Sequence, residues 1–135
     1  ADAAVALSPA TDGTLSGKTL KSNLASDAML GSLFAPLTRV PRSALLWLSL
    51  LINRIRPCNP LVSPIHGDLA NLPPLLIHAS EEEMLLDDAQ RYQNKALAAG
   101  SPVTLQTWRC GACLAYVWRA TKRSAAGLCA DRAFP

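Results

Sequence analysis

The amino-acid sequence predicts an α/β fold built on a mostly parallel sheet. Two short apolar runs, residues 75–79 and 103–108, have the length of strands, and the segment between them has the apolar periodicity of a helix. A strand, a helix and a second strand joined by short connections form the parallel unit that α/β folds repeat. A further apolar run at residues 3–7 ends at Ser8 and Pro9, and it predicts another strand.

Two helices are expected between the first and second strands. Ser26 and Asp27 are typical helix-start residues ahead of an apolar stretch, and Pro41 precedes a strongly apolar helix predicted at residues 43–55. Residues 61–74 contain several prolines and a glycine, so they predict an irregular connection.

The clearest helix of the chain is predicted at residues 83–99. Its first turn is acidic, which suits the positive end of the helix dipole, and Gly100 follows as a C-terminal cap. Its apolar face, which is expected to pack on the sheet, consists of Leu85, Ala89, Tyr92, Ala96 and Ala99.

Length and composition indicate a single domain over residues 1–135. Half of the residues are hydrophobic, which provides a core and argues against a disordered chain. The apolar run at residues 44–52 is shorter than the ~20 residues that cross a bilayer, and no basic leader is seen, so we expect a cytoplasmic protein without a membrane span. The basic residues near the C-terminus are scattered, so no nucleic-acid partner is expected.

The cysteines suggest an alternative function. Cys110 and Cys113 form a Cys-x-x-Cys pair that follows a strand and precedes a helical stretch, which is the arrangement of a thioredoxin-like redox site. Dithiol–disulfide exchange is therefore the alternative reaction. A zinc site would need a second pair, and Cys58 and Cys129 are single, so no metal and no other cofactor is expected.

Several segments occur in the order that one enzyme family shows. They are residues 7–12, 14–17, 25–31, 59–69, 72–77, 83–88, 98–100 and 103–108. Together they resemble the hormone-sensitive-lipase-like family of α/β-hydrolase esterases. The resemblance implies a partial α/β-hydrolase fold, a cap-like helical region at residues 26–58, and hydrolysis of small acyl esters.

The same resemblance implies that Glu83 is the acid of a catalytic triad, with Glu82 as the alternative. An ionised carboxylate in that role orients an imidazole and stabilises the imidazolium that forms during acyl transfer. A second interpretation stays open, in which Glu81, Glu82 and Glu83 are only an acidic cluster at a helix start.

The rest of the family's machinery is not recognisable in these residues. Neither an oxyanion loop of the His-Gly-Gly-Gly type nor a Gly-x-Ser-x-Gly elbow occurs. The position of the catalytic histidine falls at or near Cys113, while His66 and His78 lie elsewhere and are expected to be structural. We therefore expect this polypeptide to be inactive alone, unless a further segment supplies the serine, the oxyanion loop and the histidine.

Residues 109–135 form an atypical tail. Two of the three tryptophans, three of the four cysteines and most of the excess positive charge lie in the segment from residue 108 onward, where the resemblance stops. We hypothesise that the tail is read from a shifted frame, which the coding DNA would reveal.

A third functional class is a non-catalytic module that associates with itself through the apolar helix at residues 43–55, giving a homo-oligomer.

Overall fold

The computed structural model describes residues 2–109. Its centre is a three-stranded parallel sheet in the order β1-β2-β3, where β1 is Ala4–Leu7, β2 is Leu75–Ser80 and β3 is Val103–Trp108. The middle strand pairs with β1 from Ala4 opposite Leu75 onward, and with β3 along its whole length. The predicted parallel α/β arrangement is confirmed.

Four helices connect or cover these strands in the described part of the chain. They are α1 at Thr19–Ser22, α2 at Gly31–Phe34, α3 at Arg42–Asn53 and α4 at Leu86–Ala98, with short 3-10 turns at Pro36–Arg39 and Pro64–His66. The long connection from β1 to β2 holds the first three helices, and it runs otherwise through turns and loops as its prolines and glycines predict.

The hydrophobic core lies between α4 and the sheet. Ala89 and Ala96 are completely buried on α4, and their small side chains let the helix approach Ile77 of β2 and Val103 of β3. Tyr92 is half-buried against the same cluster, as the predicted apolar face requires. Ala99, predicted on that face, is exposed instead, because the helix ends at the preceding residue.

Helix α4 starts later than predicted, and a glycine caps its end. The helix begins at Leu86, three residues later than predicted, and Glu83 lies in the turn before it. At the other end Gly100 has φ +80°, its N–H donates to Leu97 O at 3.0 Å, and the Ser101 N–H donates to Ala96 O at 2.9 Å. These two bonds form a Schellman cap, which confirms the capping glycine.

The apolar helix α3 has no buried residue. It ends two residues earlier than predicted, because Arg54 adopts φ +53° and caps the helix through a bond from its N–H to Leu50 O. More than half of the surface of four large apolar side chains is exposed, at Trp47, Leu48, Leu51 and Ile52. Among residues 2–109, no helix has the length and hydropathy needed to cross a bilayer.

Candidate active site

The carboxyl ends of the three strands meet at one edge of the sheet. The Ser8 N–H donates to His78 O at 2.8 Å, and the Glu81 N–H donates to Trp108 O at 2.9 Å. These bonds continue the parallel register past β1 and β2. Because side chains leave the core at this edge, open α/β sheets place their functional groups there.

Glu83 lies at this edge in a buried and tightly bonded position. Its side chain is held in the turn between β2 and α4, and only 3% of the residue's surface is exposed. The Oε2 atom accepts a hydrogen bond from Ser8 Oγ at 2.6 Å and another from the Ser80 N–H at 3.1 Å. These bonds restrict the orientation of the carboxylate.

The partner of this carboxylate comes from the neighbouring strand. Ser8 directly follows β1 and adopts φ +45°, a left-handed conformation that non-glycine residues rarely take. The turn that this conformation produces brings the Ser8 hydroxyl to Glu83, 75 positions away in sequence. The backbone strain is therefore coupled to a short bond with a buried carboxylate.

The two acid candidates differ in burial. Glu82 is exposed, and its backbone N–H, rather than its carboxylate, contacts this region by donating to Ser80 Oγ at 3.2 Å. Glu81 is also exposed and forms an ion pair with Arg109 at 3.0 Å. Of the three glutamates, Glu83 is the buried one, and its role as triad acid stays a prediction.

Each histidine has a partner outside the Glu83 turn. The Nδ1 atom of His78 accepts a hydrogen bond from Trp108 Nε1 at 3.0 Å, and the two rings stack with centroids 5.9 Å apart. His66 Nε2 lies 3.7 Å from Asp12 Oδ1. The structural role of both histidines stays a prediction.

A second polar network lies beside the site, and sequence reasoning missed it. The Arg91 side chain of α4 donates to Asp12 Oδ2 at 3.0 Å and to Asp88 Oδ1 at 2.8 Å, and its Nε forms an ion pair with Asp87 Oδ2 at 2.8 Å. The Asp12 N–H also donates to Asp88 Oδ2 at 3.2 Å. The network ties the loop after β1 to the first turns of α4.

The charges of this network are set by burial and by hydrogen bonds. Burial of Asp12 disfavours its charged form, but hydrogen bonds from Ser16, Thr14 and Arg91 outweigh burial and hold the pKa of Asp12 well below its ordinary value. Burial raises the pKa of Asp88, and the hydrogen bond from Arg91 offsets this only in part. The pKa of Arg91 is raised, because its bonds to both carboxylates outweigh the effect of its own burial.

The loop before β2 is anchored from two sides. The buried Ser63 hydroxyl donates to Pro57 O and accepts from the Gly13 N–H at 2.7 Å. Lys95 of α4 donates from Nζ to Ile65 O at 2.5 Å. These bonds hold the irregular connection against the loop after β1 and against α4.

Parts of the sequence prediction lie outside the described residues. They include the Cys110 and Cys113 pair, the histidine position near Cys113, Cys129 and the tail after Arg109. Within residues 2–109, no group of three or more His, Cys, Asp or Glu side chains is arranged to hold a metal ion.

The Ser8–Glu83 pair could in part have been found from sequence. Ser8 directly follows one predicted strand and Glu83 comes four residues after another, and the carboxyl ends of parallel strands share one edge. The i,i+3 and i,i+4 spacings of Asp88 and Asp87 from Arg91 likewise predict ion pairs on one helix. No local signal indicates that Asp12, far away in sequence, joins them.

Comparison with known proteins gives a consistent result. Residues 2–112 match a family model described as "alpha/beta hydrolase fold". An acetyl-hydrolase of Streptomyces hygroscopicus is 56% identical over 52 residues, which is 38% of this chain and 17% of that protein. An esterase of Acinetobacter venetianus is 36% identical over 92 residues, which is 68% of this chain and 28% of that protein.

Solved structures agree with these relatives. A hormone-sensitive lipase from a metagenome library has a TM-score of 0.67 and 30% identity, covering 87% of this chain and 38% of its own. An esterase from the bacterial hormone-sensitive lipase family has a TM-score of 0.65 and 31% identity, covering 82% of this chain and 35% of its own. The chain thus spans less than two fifths of the length of each of these relatives.

Proposed function

The chain belongs to the hormone-sensitive-lipase-like family of α/β hydrolases, and from this membership we propose that it is the acid-bearing portion of a carboxylic ester hydrolase. The single observation that carries the proposal is the buried Glu83 carboxylate, bonded by Ser8 and by the Ser80 N–H at the carboxyl edge of the sheet. The substrates that we propose are small acyl esters.

Glu83 has the role of the triad acid in this proposal. Its carboxylate accepts a bond from the catalytic imidazole, fixes the tautomer of the ring, and stabilises the imidazolium formed when the nucleophile loses its proton. Ser8 and the Ser80 N–H hold the carboxylate in place, so that it does not have to reorganise as charge develops on the imidazole.

The remaining machinery is assigned to residues beyond this portion. We propose that a nucleophilic serine, an oxyanion loop and a histidine come from a further segment of the fold, since the 135 residues hold neither the elbow motif nor the oxyanion motif, and the two histidines contact Asp12 and Trp108. We propose that the polypeptide alone does not turn over esters. A cytoplasmic location and the assignment of residues 26–58 as cap remain parts of the same proposal.

The acid role is tested by transplantation. In a chimera, residues 2–109 replace the matching segment of the metagenomic hormone-sensitive lipase, and the rest of that lipase is kept. We expect this chimera to hydrolyse p-nitrophenyl butyrate, and Glu83→Gln to lower kcat by about a thousandfold to ten-thousandfold, since the imidazole loses its orienting carboxylate.

Glu82→Gln is the matched control, and it should leave kcat close to that of the unmodified chimera. A folded chimera that is inactive, or one that keeps its turnover with Glu83→Gln, contradicts the proposal. Hydrolysis by the isolated 135-residue chain that a serine-directed inhibitor blocks would contradict its second part, that the chain alone is inactive.

The exposed stripe on α3 supports a second property. Its four large side chains face solvent in the described residues, and large exposed apolar patches mark interaction surfaces. We propose that the isolated chain associates with itself through this helix.

A further inference from the structure

Side chains from one short segment hold the turn that carries Glu83. The carbonyl oxygens of residues 81–84 all accept hydrogen bonds from residues 19–26. These bonds are Asn23 Nδ2 to Glu81 O at 2.8 Å and to Glu83 O at 3.0 Å, Ser26 Oγ to Glu82 O at 3.0 Å, and Thr19 Oγ1 to Met84 O at 2.7 Å. In addition, the Met84 N–H donates to Asp27 Oδ2 at 2.9 Å.

The peptide group that follows Glu83 is held on both sides. Its oxygen, Glu83 O, accepts from Asn23, and its N–H, that of Met84, donates to Asp27. A peptide group is planar, so two bonds on opposite sides fix its rotation. Fixing this plane restricts the ψ angle of Glu83 and therefore the direction in which its side chain leaves the backbone.

Asp27 connects this turn to the cap-like region. It is 4% exposed, and its second oxygen, Oδ1, accepts from the Met29 N–H at 2.9 Å and from the Leu30 N–H at 2.7 Å, just before α2. Both carboxylate oxygens are therefore acceptors. An asparagine, with one oxygen and one NH₂ group, could not serve both sides.

We infer that Thr19, Asn23, Ser26 and Asp27, here called the acid clamp, are positioning residues for the Glu83 carboxylate. The inference rests on the proposed function of Glu83 as triad acid. The acid clamp bonds both the segment before α2 and the turn that carries Glu83. Movement of the cap-like region therefore changes the orientation of the Glu83 carboxylate.

The contact between the acid clamp and the turn that carries Glu83 is tested by NMR on the isotope-labelled 135-residue chain. Asp27→Ala should speed exchange of the Met84 N–H about tenfold, because that group loses its buried acceptor. The same change should move the resonance of the Glu83 carboxyl carbon. Asp68→Ala is the matched control, since Asp68 is exposed and accepts from a backbone N–H, that of Ala70 at 2.9 Å, away from the turn.

Thr19→Val is a second and milder variant that removes the bond to Met84 O and the acceptor of the Asp87 N–H. It should move the Glu83 carboxyl resonance in the same direction as Asp27→Ala. If the Asp27→Ala chain does not fold, Thr19→Val replaces it in this experiment. A Glu83 resonance that stays in place in a folded variant overturns the inference.

Kinetic measurements distinguish the positioning role of the acid clamp from the catalytic role of Glu83. In the chimera, Asp27→Ala should lower kcat about tenfold to a hundredfold with KM nearly unchanged, because a misdirected carboxylate affects the transition state more than substrate binding. Asp68→Ala should alter neither constant. If Glu83→Gln abolishes turnover while Asp27→Ala leaves kcat intact, the acid role stands and the positioning role is refuted.

Discussion

At the scale of single residues, the site depends on Ser8. Its backbone is in the left-handed region at φ +45°, and its hydroxyl donates to a carboxylate that is almost fully buried. We expect the bond to Glu83 to offset part of the cost of this backbone conformation. Such strain is typical of residues that place a functional group.

Substitution of Ser8 separates these two effects. Ser8→Ala should lower the free energy of unfolding by about 1.5–3 kcal/mol, since a bond to a buried charge is lost while the backbone strain stays. Ser8→Gly loses the same bond but relieves the strain, so it should be about 1 kcal/mol more stable than Ser8→Ala. Urea unfolding of the unmodified chain and of the two variants measures both differences. Equal stabilities of Ser8→Ala and Ser8→Gly would show that the Ser8 backbone is not strained.

At the scale of elements, the Asp12–Arg91 network links the loop after β1 to α4. The Asp12 side chain is completely buried, and its ion pair with Arg91 joins residues 79 positions apart in sequence. From β1, Ala6 packs against the core cluster that includes Ala89 and Ala96 of α4, and the polar link adds to this apolar contact. The loop then stays in the geometry that the Ser8 turn requires.

The network predicts a pH dependence with a definite sign. The pKa of Asp12 is lower in the folded chain than its ordinary value of about 4, so Asp12 stabilises the fold fully above that pH and the contribution is lost as the pH falls further. The raised pKa of Asp88 acts in the opposite direction, reducing stability as the pH rises through the ordinary range.

Asp12→Asn should therefore lower the free energy of unfolding by about 3 kcal/mol at neutral pH, because Arg91 loses a buried partner. The difference from the unmodified chain should shrink below pH about 4, because the unfolded chain then binds a proton at Asp12 that the folded chain, with its lowered pKa, does not bind. Unfolding measured between neutral pH and pH about 3 follows this change. A difference that is independent of pH would show that the charge of Asp12 does not stabilise the fold.

At the scale of the whole molecule, the described residues carry apolar surface that their own fold leaves exposed. Trp47, Leu48, Leu51 and Ile52 form one stripe along α3, and Val5 on β1 is 64% exposed. The sheet ends at β1 on one side within the described part of the chain, and open strand edges favour pairing with another chain.

Self-association of the isolated chain should thus depend on α3. We expect size-exclusion chromatography to show a species larger than the 14.4 kDa monomer, and Leu51→Lys to shift it toward the monomer. Leu97→Lys is the control, because Leu97 is 50% exposed on α4, outside the stripe. A monomer at all concentrations, or an equal effect of both substitutions, would exclude α3 as the contact.

Sequence by itself determined the architecture and the candidate acid. Strand length, helical periodicity and the glycine after α4 can each be recognised in a short stretch of sequence. They predict which segments form strands or helices and which faces are buried. The order of the segments then placed Glu83 behind the middle strand. The start of α4 was predicted too early, since the acidic residues that suit a first turn lie here in a turn held by distant side chains.

Only the tertiary structure decided which partners fix that acid. Ser8 meets Glu83 and Asp27 meets Met84 across 75 and 57 positions, and Asp12 meets Arg91 across 79. Polar side chains such as these have no periodicity that reveals their partners. Their pairing follows from the parallel register, which brings the ends of β1 and β2 together and leaves buried polar atoms to satisfy one another there.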